Sequence, residues 1–264
     1  MATNPFAQYG IKEVADVIVY DITTGAPVMY FDTLKVSNIE MTASVSDATG
    51  GKGNPKLISW DYGKEIKLSL TDALLSMKSL NLLMSPDTSN IHDYTSAVNI
   101  KKAEILTLGA GSTFLPKYTP ASTTGVYVLE ALATATKGTT YYSVASGASS
   151  GDLVRVVYEV ETTGEHAYEV VITPDKFPGT YMIVGDTVIR NRDGVDEGFQ
   201  FIIPKAKFSS EVTFTMEAEG DPTVFDMVIN VLKADNGTMM SLVKYDIGDI
   251  AAGSVASNLT LATW

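Results

Sequence analysis

The sequence predicts a mainly β protein, a β-sandwich or barrel with one short α-helix and an inserted small β module. Three observations predict it. Apolar and polar residues alternate with a period of two over many short stretches. Turn-forming pairs such as Lys137-Gly138, Thr163-Gly164, Pro174-Asp175 and Asn236-Gly237 separate those stretches at regular spacing. A single segment carries helical periodicity instead. About a dozen strands with regular turns favour a sandwich or barrel.

The first strand is the apolar run Val17–Ile22, closed by the turn T-T-G-A-P at Thr23 to Pro27. Val28 to Val36 continues as a second strand. Ile39, Met41, Ala43 and Val45 alternate with Asn38, Glu40, Thr42 and Ser44, which predicts a strand with one buried face. Ser46 to Lys56 is rich in glycine and polar residues and predicts an exposed, mobile loop. Glu65 to Leu70 alternates again, with Ile66, Leu68 and Leu70 inward. Thr71 is the expected N-cap of the helix, with Asp72 in its first turn. Ala73, Met77, Leu80 and Met84 recur at helical spacing, Leu74 and Leu83 widen that face, and Ser85-Pro86 ends it.

Ile100 to Leu108 reads as a further strand. The stretch that follows is expected to form the inserted module, with strands at Val126–Ala131, Thr139–Val144, Leu153–Val160, Ala167–Ile172 and Thr180–Arg190. Residues 1–117 and 198–264 are then expected to form the main β domain, and 118–197 the module. In the last third, Val212, Phe214, Met216 and Ala218 alternate with Glu211, Thr213, Thr215, Glu217 and Glu219. Val224 to Leu232 and Met239 to Tyr245 are expected to pair as a hairpin around Asp235-Asn236-Gly237, because Asn-Gly takes positive φ angles cheaply.

Composition narrows the function. The chain has 264 residues, no cysteine, two histidines (His92 and His166) and a formal net charge of −12. Disulfides, thiolate chemistry and Cys-based zinc sites are excluded, and two histidines cannot supply a site of three or more imidazoles. The acidic balance gives little general affinity for nucleic acid, since phosphate binding comes from Lys and Arg. The N-terminus M-A-T-N-P-F-A-Q-Y-G predicts no secretory signal, and apolar runs such as Phe199–Ile203 are too short to span a bilayer. The reading is a soluble protein made in a cytoplasm.

The motifs point away from catalysis. Gly50-Gly51-Lys52-Gly53-Asn54-Pro55 lacks the Gly-Lys-Ser/Thr ending of a phosphate loop, and a strand follows it rather than a helix. Asn191 to Glu197 resembles a calcium loop in composition, but strands flank it, so an acidic turn is expected. His166 in G-E-H-A-Y has no partner set for nucleophilic chemistry. Trp60-Asp61-Tyr62 could bind a sugar or a base, and the expectation is an aromatic corner of the core. No catalytic, cofactor-binding or metal residue is assigned, and the chain is expected not to be an enzyme.

The segment G-K-G-N-P-K-L-I-S-W-D-Y-G-K-E-I-K-L-S-L-T-D-A-L-L-S resembles the characteristic region of the bacteriophage tail tube (major tail) protein family, where a polar loop leads into a strand and the single helix. The run F-S-S-E-V-T-F-T-M-E-A-E-G-D-P followed by V-F-D-M-V-I-N-V-L is similar to the closing strands of that fold. The resemblance implies a virion structural protein whose subunits form rings, commonly hexameric, stacked into a tube for DNA passage, with the 118–197 module facing outward. It implies self-association as the main partnership, contacts with sheath, tape-measure and baseplate or terminator proteins, DNA passing without specific binding, and no membrane. The place implied is the virion tail, assembled in the host bacterial cytoplasm. Thr49, Gly50, Gly51, Lys52, Gly53, Asn54 and Pro55 become the candidate inter-ring loop. Glu211, Glu217 and Glu219 become candidate lumen-facing acids that keep DNA off the wall, with an exterior solvated face as the alternative. Two other readings stand beside it: a tube protein of a related contractile secretion system, and a β-sandwich binding module or adhesin for a carbohydrate or host surface, using Trp60, Tyr62 or the tyrosines of the module.

Overall fold

A computed structural model describes residues 8–11, 13–86, 90–131, 133–162, 167–212 and 224–247. The chain begins with β1 (Tyr9–Ile11), β2 (Asp16–Asp21), β3 (Pro27–Phe31), β4 (Leu34–Thr49) and β5 (Lys56–Asp72), then α1 (Met77–Met84). It continues through β6 (Ile91–Tyr94), β7 (Asn99–Thr107), β8 (Thr113–Phe114), β9 (Tyr127–Val128), β10 (Ala133–Thr134), β11 (Thr136–Lys137), β12 (Tyr142–Ser143), β13 (Leu153–Glu161) and β14 (Ala167–Val170). It ends with β15 (Thr180–Asn191), β16 (Asp196–Phe208), β17 (Phe225–Val231) and β18 (Ser241–Tyr245).

Two compact units result, one from residues 1–90 with 172–264, the other from 91–171. These limits differ from the expected 118–197 module at both ends. Val154, Val156 and Tyr158 of β13 are buried, and β13 pairs with β7 along its whole length, which draws β7 into the second unit. β15 is claimed instead by the first unit, because Tyr181 and Ile183 fill its core and the strand lies between β2 and β16.

The first unit is one antiparallel sheet in the order β3-β2-β15-β16-β17-β5-β4, with β1 on β15 and β18 on β16. It is mainly β with one helix among the described residues, as expected. Among those residues no pairing joins β3 to β4, so the sheet is not a closed barrel. Val17, Val19, Ile66, Leu68, Leu70, Ile183, Ile203, Phe208, Met227 and Ile229 form the core, and Leu82 and Leu83 of α1 pack into it. Burying side chains of this kind is worth about 1.5–3 kcal/mol each.

The helix starts later than its periodicity predicts. Thr71 and Asp72 stay in β5, where they pair with Asp226 and Phe225. Asp72 is buried and accepts hydrogen bonds from Thr33 Oγ1 (2.5 Å) and Leu74 N–H (3.2 Å). Ser76 is the N-cap. Its Oγ accepts from Ser79 N–H (3.0 Å), and Ser79 Oγ accepts from Ser76 N–H (3.0 Å), a reciprocal capping box. The inward face also differs from the expected one: Met77 and Leu74 are exposed, while Asn81, Leu82 and Leu83 are buried. Asn81 Oδ1 accepts from Asn90 Nδ2 (3.1 Å), so the polar members of that face are satisfied.

β18 does not return to β17 as a hairpin. It pairs with Gly198–Ile202 of β16, beyond the short stretch Ala206–Phe208 that β17 occupies. The chain turns at Asn236-Gly237, but Gly237 alone has positive φ (88°), so the turn is not the Asn-Gly form with positive φ at both residues. What redirects the strand is the vacant length of β16. The Asn191–Glu197 segment is the turn between β15 and β16, as expected. Asn191 Oδ1 accepts from the N–H groups of Asp193 and Val195, 2.9 Å each.

The second unit holds three small sheets, β10-β9-β13-β7, β11-β12-β8 and β14-β6. Its own core is Leu108, Phe114, Val126, Val128, Tyr142, Val144, Val154, Val156 and Tyr158. Phe114 and Tyr142 stack with ring centroids 5.8 Å apart. The buried Tyr158 hydroxyl donates to Glu104 Oε1 (2.6 Å). Burial, reinforced by that carboxylate, pushes its phenol up to about 12.

Candidate assembly surface

β4 and β5 are far longer than their neighbours. β5 pairs with β17 only from Lys67 to Asp72, whereas it pairs with β4 all the way out to Lys56. From Met41 to Ile66 the two strands therefore form a ribbon with no third strand among the described residues. At about 3.4 Å per residue, the eight residues from Met41 to Ala48 alone extend it roughly 25 Å. The expected loop of Ser46 to Lys56 shrinks to Gly50–Pro55, because Ser46 to Thr49 continue the ladder opposite Trp60 to Lys56.

The tip is a folded turn. Gly50 N–H donates to Pro55 O (3.1 Å), and Asn54 N–H donates to Gly51 O (3.1 Å). Gly51, Gly53 and Asn54 have φ of 85°, 89° and 50°, a left-handed backbone for which glycine and asparagine are suited. Just behind the tip, Lys56 pairs with Asp47, and Ser59 Oγ donates to Asp47 Oδ1 (2.6 Å). The Lys56 ammonium, then the Ser59 hydroxyl, hold the Asp47 carboxyl below its usual range. Of the candidate contact residues, Thr49 ends β4 and Gly50 to Pro55 form this turn, all but Gly50 exposed.

The ribbon corrects the expectation for the aromatics. Trp60 and Tyr62 are 53% and 59% exposed and do not belong to the core. Their register explains why. Thr42 pairs with Glu65 and Ser44 with Tyr62, so one residue of β4 faces two of β5, Gly63 and Lys64. Gly63 has φ 60°. Such a bulge carries an extra residue and flips the ladder face of everything beyond it. Ile66, Leu68 and Leu70 face the core, while Ile58, Trp60 and Tyr62 stand on the opposite face of the ladder. Opposite them are small residues, Ala48, Ser46 and Ser44. The result is a row of three large side chains beside a shallow shelf. Met41 and Val45, expected to be buried, are also exposed, because the body of the sheet ends before them. The signal in the sequence was Tyr62-Gly63, a glycine interrupting a strand pattern.

Of the acidic candidates, Glu211 alone lies among the described residues. Glu211 is exposed and lies beyond the end of β16, its N–H donating to Ser209 Oγ (3.3 Å). Glu217 and Glu219 lie outside the described residues, as does His166. Among the described residues no group of three or more His, Asp or Glu could hold a metal, and no helix is long and apolar enough to cross a membrane.

This is a β-rich chain whose distinctive surface is the extended β4–β5 strand pair. A family model, that of the YomU/Tube protein family, matches residues 9–243. The chain belongs to this family, which makes it a phage tube-type structural protein and a component of the virion tail. No curated protein matches it.

Proposed function

We propose that this chain is a tail tube subunit that assembles with copies of itself into stacked, sixfold rings to form the conduit for DNA.

 The observation that carries this reading is the β4–β5 ribbon, with Ile58, Trp60 and Tyr62 in a row on one face. An isolated two-stranded ribbon is marginally stable in water. Its unpaired edges and exposed apolar side chains are liabilities unless another surface covers them. A second copy of the chain is the occupant, because a tube-type subunit must meet its own kind on every side. Covering the open half of Trp60 or Tyr62 stabilises the contact by about 2–3 kcal/mol each. The Gly50–Pro55 turn reaches the adjacent ring. Head-to-tail contacts of this kind close into rings when the rotation permits. The chain acts without catalysis, and its net charge of −12 disfavours DNA adhesion to the wall.

The test is negative-stain electron microscopy of the purified chain over a concentration series, beside the double variant Trp60→Ser/Tyr62→Ser. Hollow tubes of uniform diameter from the parent, and dispersed subunits with an unchanged thermal transition from the variant, are expected. Tubes of normal yield from the variant would remove the ribbon from the assembly reading.

A further inference from the structure

The second unit carries a cavity of about 350 Å³ that the assembly reading does not use. It lies on the β9-β13-β7 sheet, lined by Lys101 of β7, Tyr127 of β9, Val157 and Glu159 of β13, and Ser122 and Gly125 of the loop before β9. Register puts these groups together: Glu159 stands opposite Lys101, and Val157 opposite Tyr127. The loop wall is tied down, since Ala121 N–H donates to Glu159 O (2.8 Å), Pro120 bridges Val160, and Ser122 Oγ lies 3.1 Å from Thr124 Oγ1. The site is a built recess of a size that suits a small molecule.

We propose that this recess binds a neutral saccharide, of one or two rings. Tyr127 is 52% exposed, so its ring offers an open aromatic face to the apolar C–H side of a sugar. Lys101 and Glu159 make no ion pair among the described residues, although they face each other across the ladder. One supplies donors and the other acceptors, as a ring of hydroxyl groups requires. Their charges cancel, which selects against other ligands. Glu159 repels an anion, Lys101 repels a cation, and a wholly apolar ligand would strip water from both without replacing its hydrogen bonds. A nucleotide brings phosphate, for which the recess holds only one cation beside a carboxylate.

The experiment is saturation-transfer-difference NMR on the full chain, which works on subunits and on tubes alike. The probes are the methyl glycosides of glucose, galactose, N-acetylglucosamine and rhamnose. Transfer to the ring protons of at least one glycoside is expected. It should fall by about fivefold or more in Tyr127→Ala, and also in Lys101→Met and Glu159→Gln. Tyr141→Ala, at an exposed tyrosine of the same unit outside the recess, should leave it unchanged. Circular dichroism confirms that each variant is folded. No transfer from any of the four glycosides, or equal transfer in Tyr127→Ala, overturns the proposal. Either result is independent of tube formation, which the microscopy reads separately.

Discussion

Gly185 of β15 and Phe201 of β16 are register partners, and the phenyl ring fills the space a side chain at 185 would occupy. A Cβ built on Gly185 would come 2.0 Å from the ring. The same device recurs one strand over, where a Cβ on Gly198 would lie 2.2 Å from the ring of Tyr245. Tyr245 is held there by its hydroxyl, which donates to Asp186 (2.8 Å to Oδ1). Two glycines thus let aromatic side chains lie flat across the middle of the sheet.

Gly185→Ala should therefore destabilise the first unit by about 1–3 kcal/mol, the usual cost of overpacking. Urea unfolding followed by circular dichroism reads the loss. Phe201→Leu in the same background should recover part of it, because the ring is what the new methyl meets. Equal loss in the single and double variants would show that backbone conformation, not the ring, sets the requirement.

Ser76→Ala should cost about 1 kcal/mol through loss of the cap on α1. The same substitution at Thr71, the cap that periodicity suggests, removes no cap. It removes instead the hydrogen bond from Thr71 Oγ1 to Asp226 Oδ1 (2.6 Å). Comparing helical signal near 222 nm in the two variants separates these roles, with loss expected for Ser76→Ala.

Replacing Gly50–Pro55 by Asn-Gly should leave the subunit folded while blocking polymerisation. Asn-Gly closes a two-residue hairpin without strain, so the ribbon keeps its ladder and loses only its tip. Sedimentation velocity shows the outcome. Polymer of parental size from this variant would remove the tip from the contact between rings.

Acid should weaken the fold. Asp47 is lowered by Lys56 and then Ser59, Asp196 by Arg190, and Asp21 by the Thr24 N–H, the Thr24 hydroxyl and the Thr23 N–H. A carboxyl lowered in the folded state binds fewer protons there than in the unfolded chain. Its contribution is full above the ordinary value of 3.8 and is lost as pH falls through the folded value. The unfolding midpoint should be level from about pH 7 to pH 5 and fall below about pH 4. These groups are solvent-exposed, so each share is small. Asp21→Asn/Asp47→Asn should flatten the acid limb, and a slope as steep as the parent's would assign acid sensitivity to other carboxyls.

Much of the fold was legible residue by residue. Ile66, Leu68 and Leu70 alternate and are buried, and Val17 and Val19 likewise lie in the core. Asp193-Gly194 and Asn236-Gly237 turn the chain where their backbone preferences say they should. The candidate tip at Gly50–Pro55 was visible for the same reason. The aromatic row was not. Trp60 and Tyr62 share sequence parity with Ile66 and Leu68, and a period of two assigns them one face. The extra residue at Gly63 reverses that assignment, and only pairing with β4 reveals which strand holds the bulge.

Local sequence determined the β class, the short helix near residue 80 and the sharp turns, because alternation, helical period and φ preferences act over a few residues. It also determined the absence of thiol chemistry, since the chain has no cysteine. The tertiary structure decided which strand pairs with which. β18 joins β16 rather than β17, β15 enters the first unit, and β7 joins β13 in the second. Backbone hydrogen bonding is alike in every strand, so local pattern makes a strand without naming its partner. Partners are chosen by which apolar faces can be buried together, and that sum runs over residues far apart in the chain.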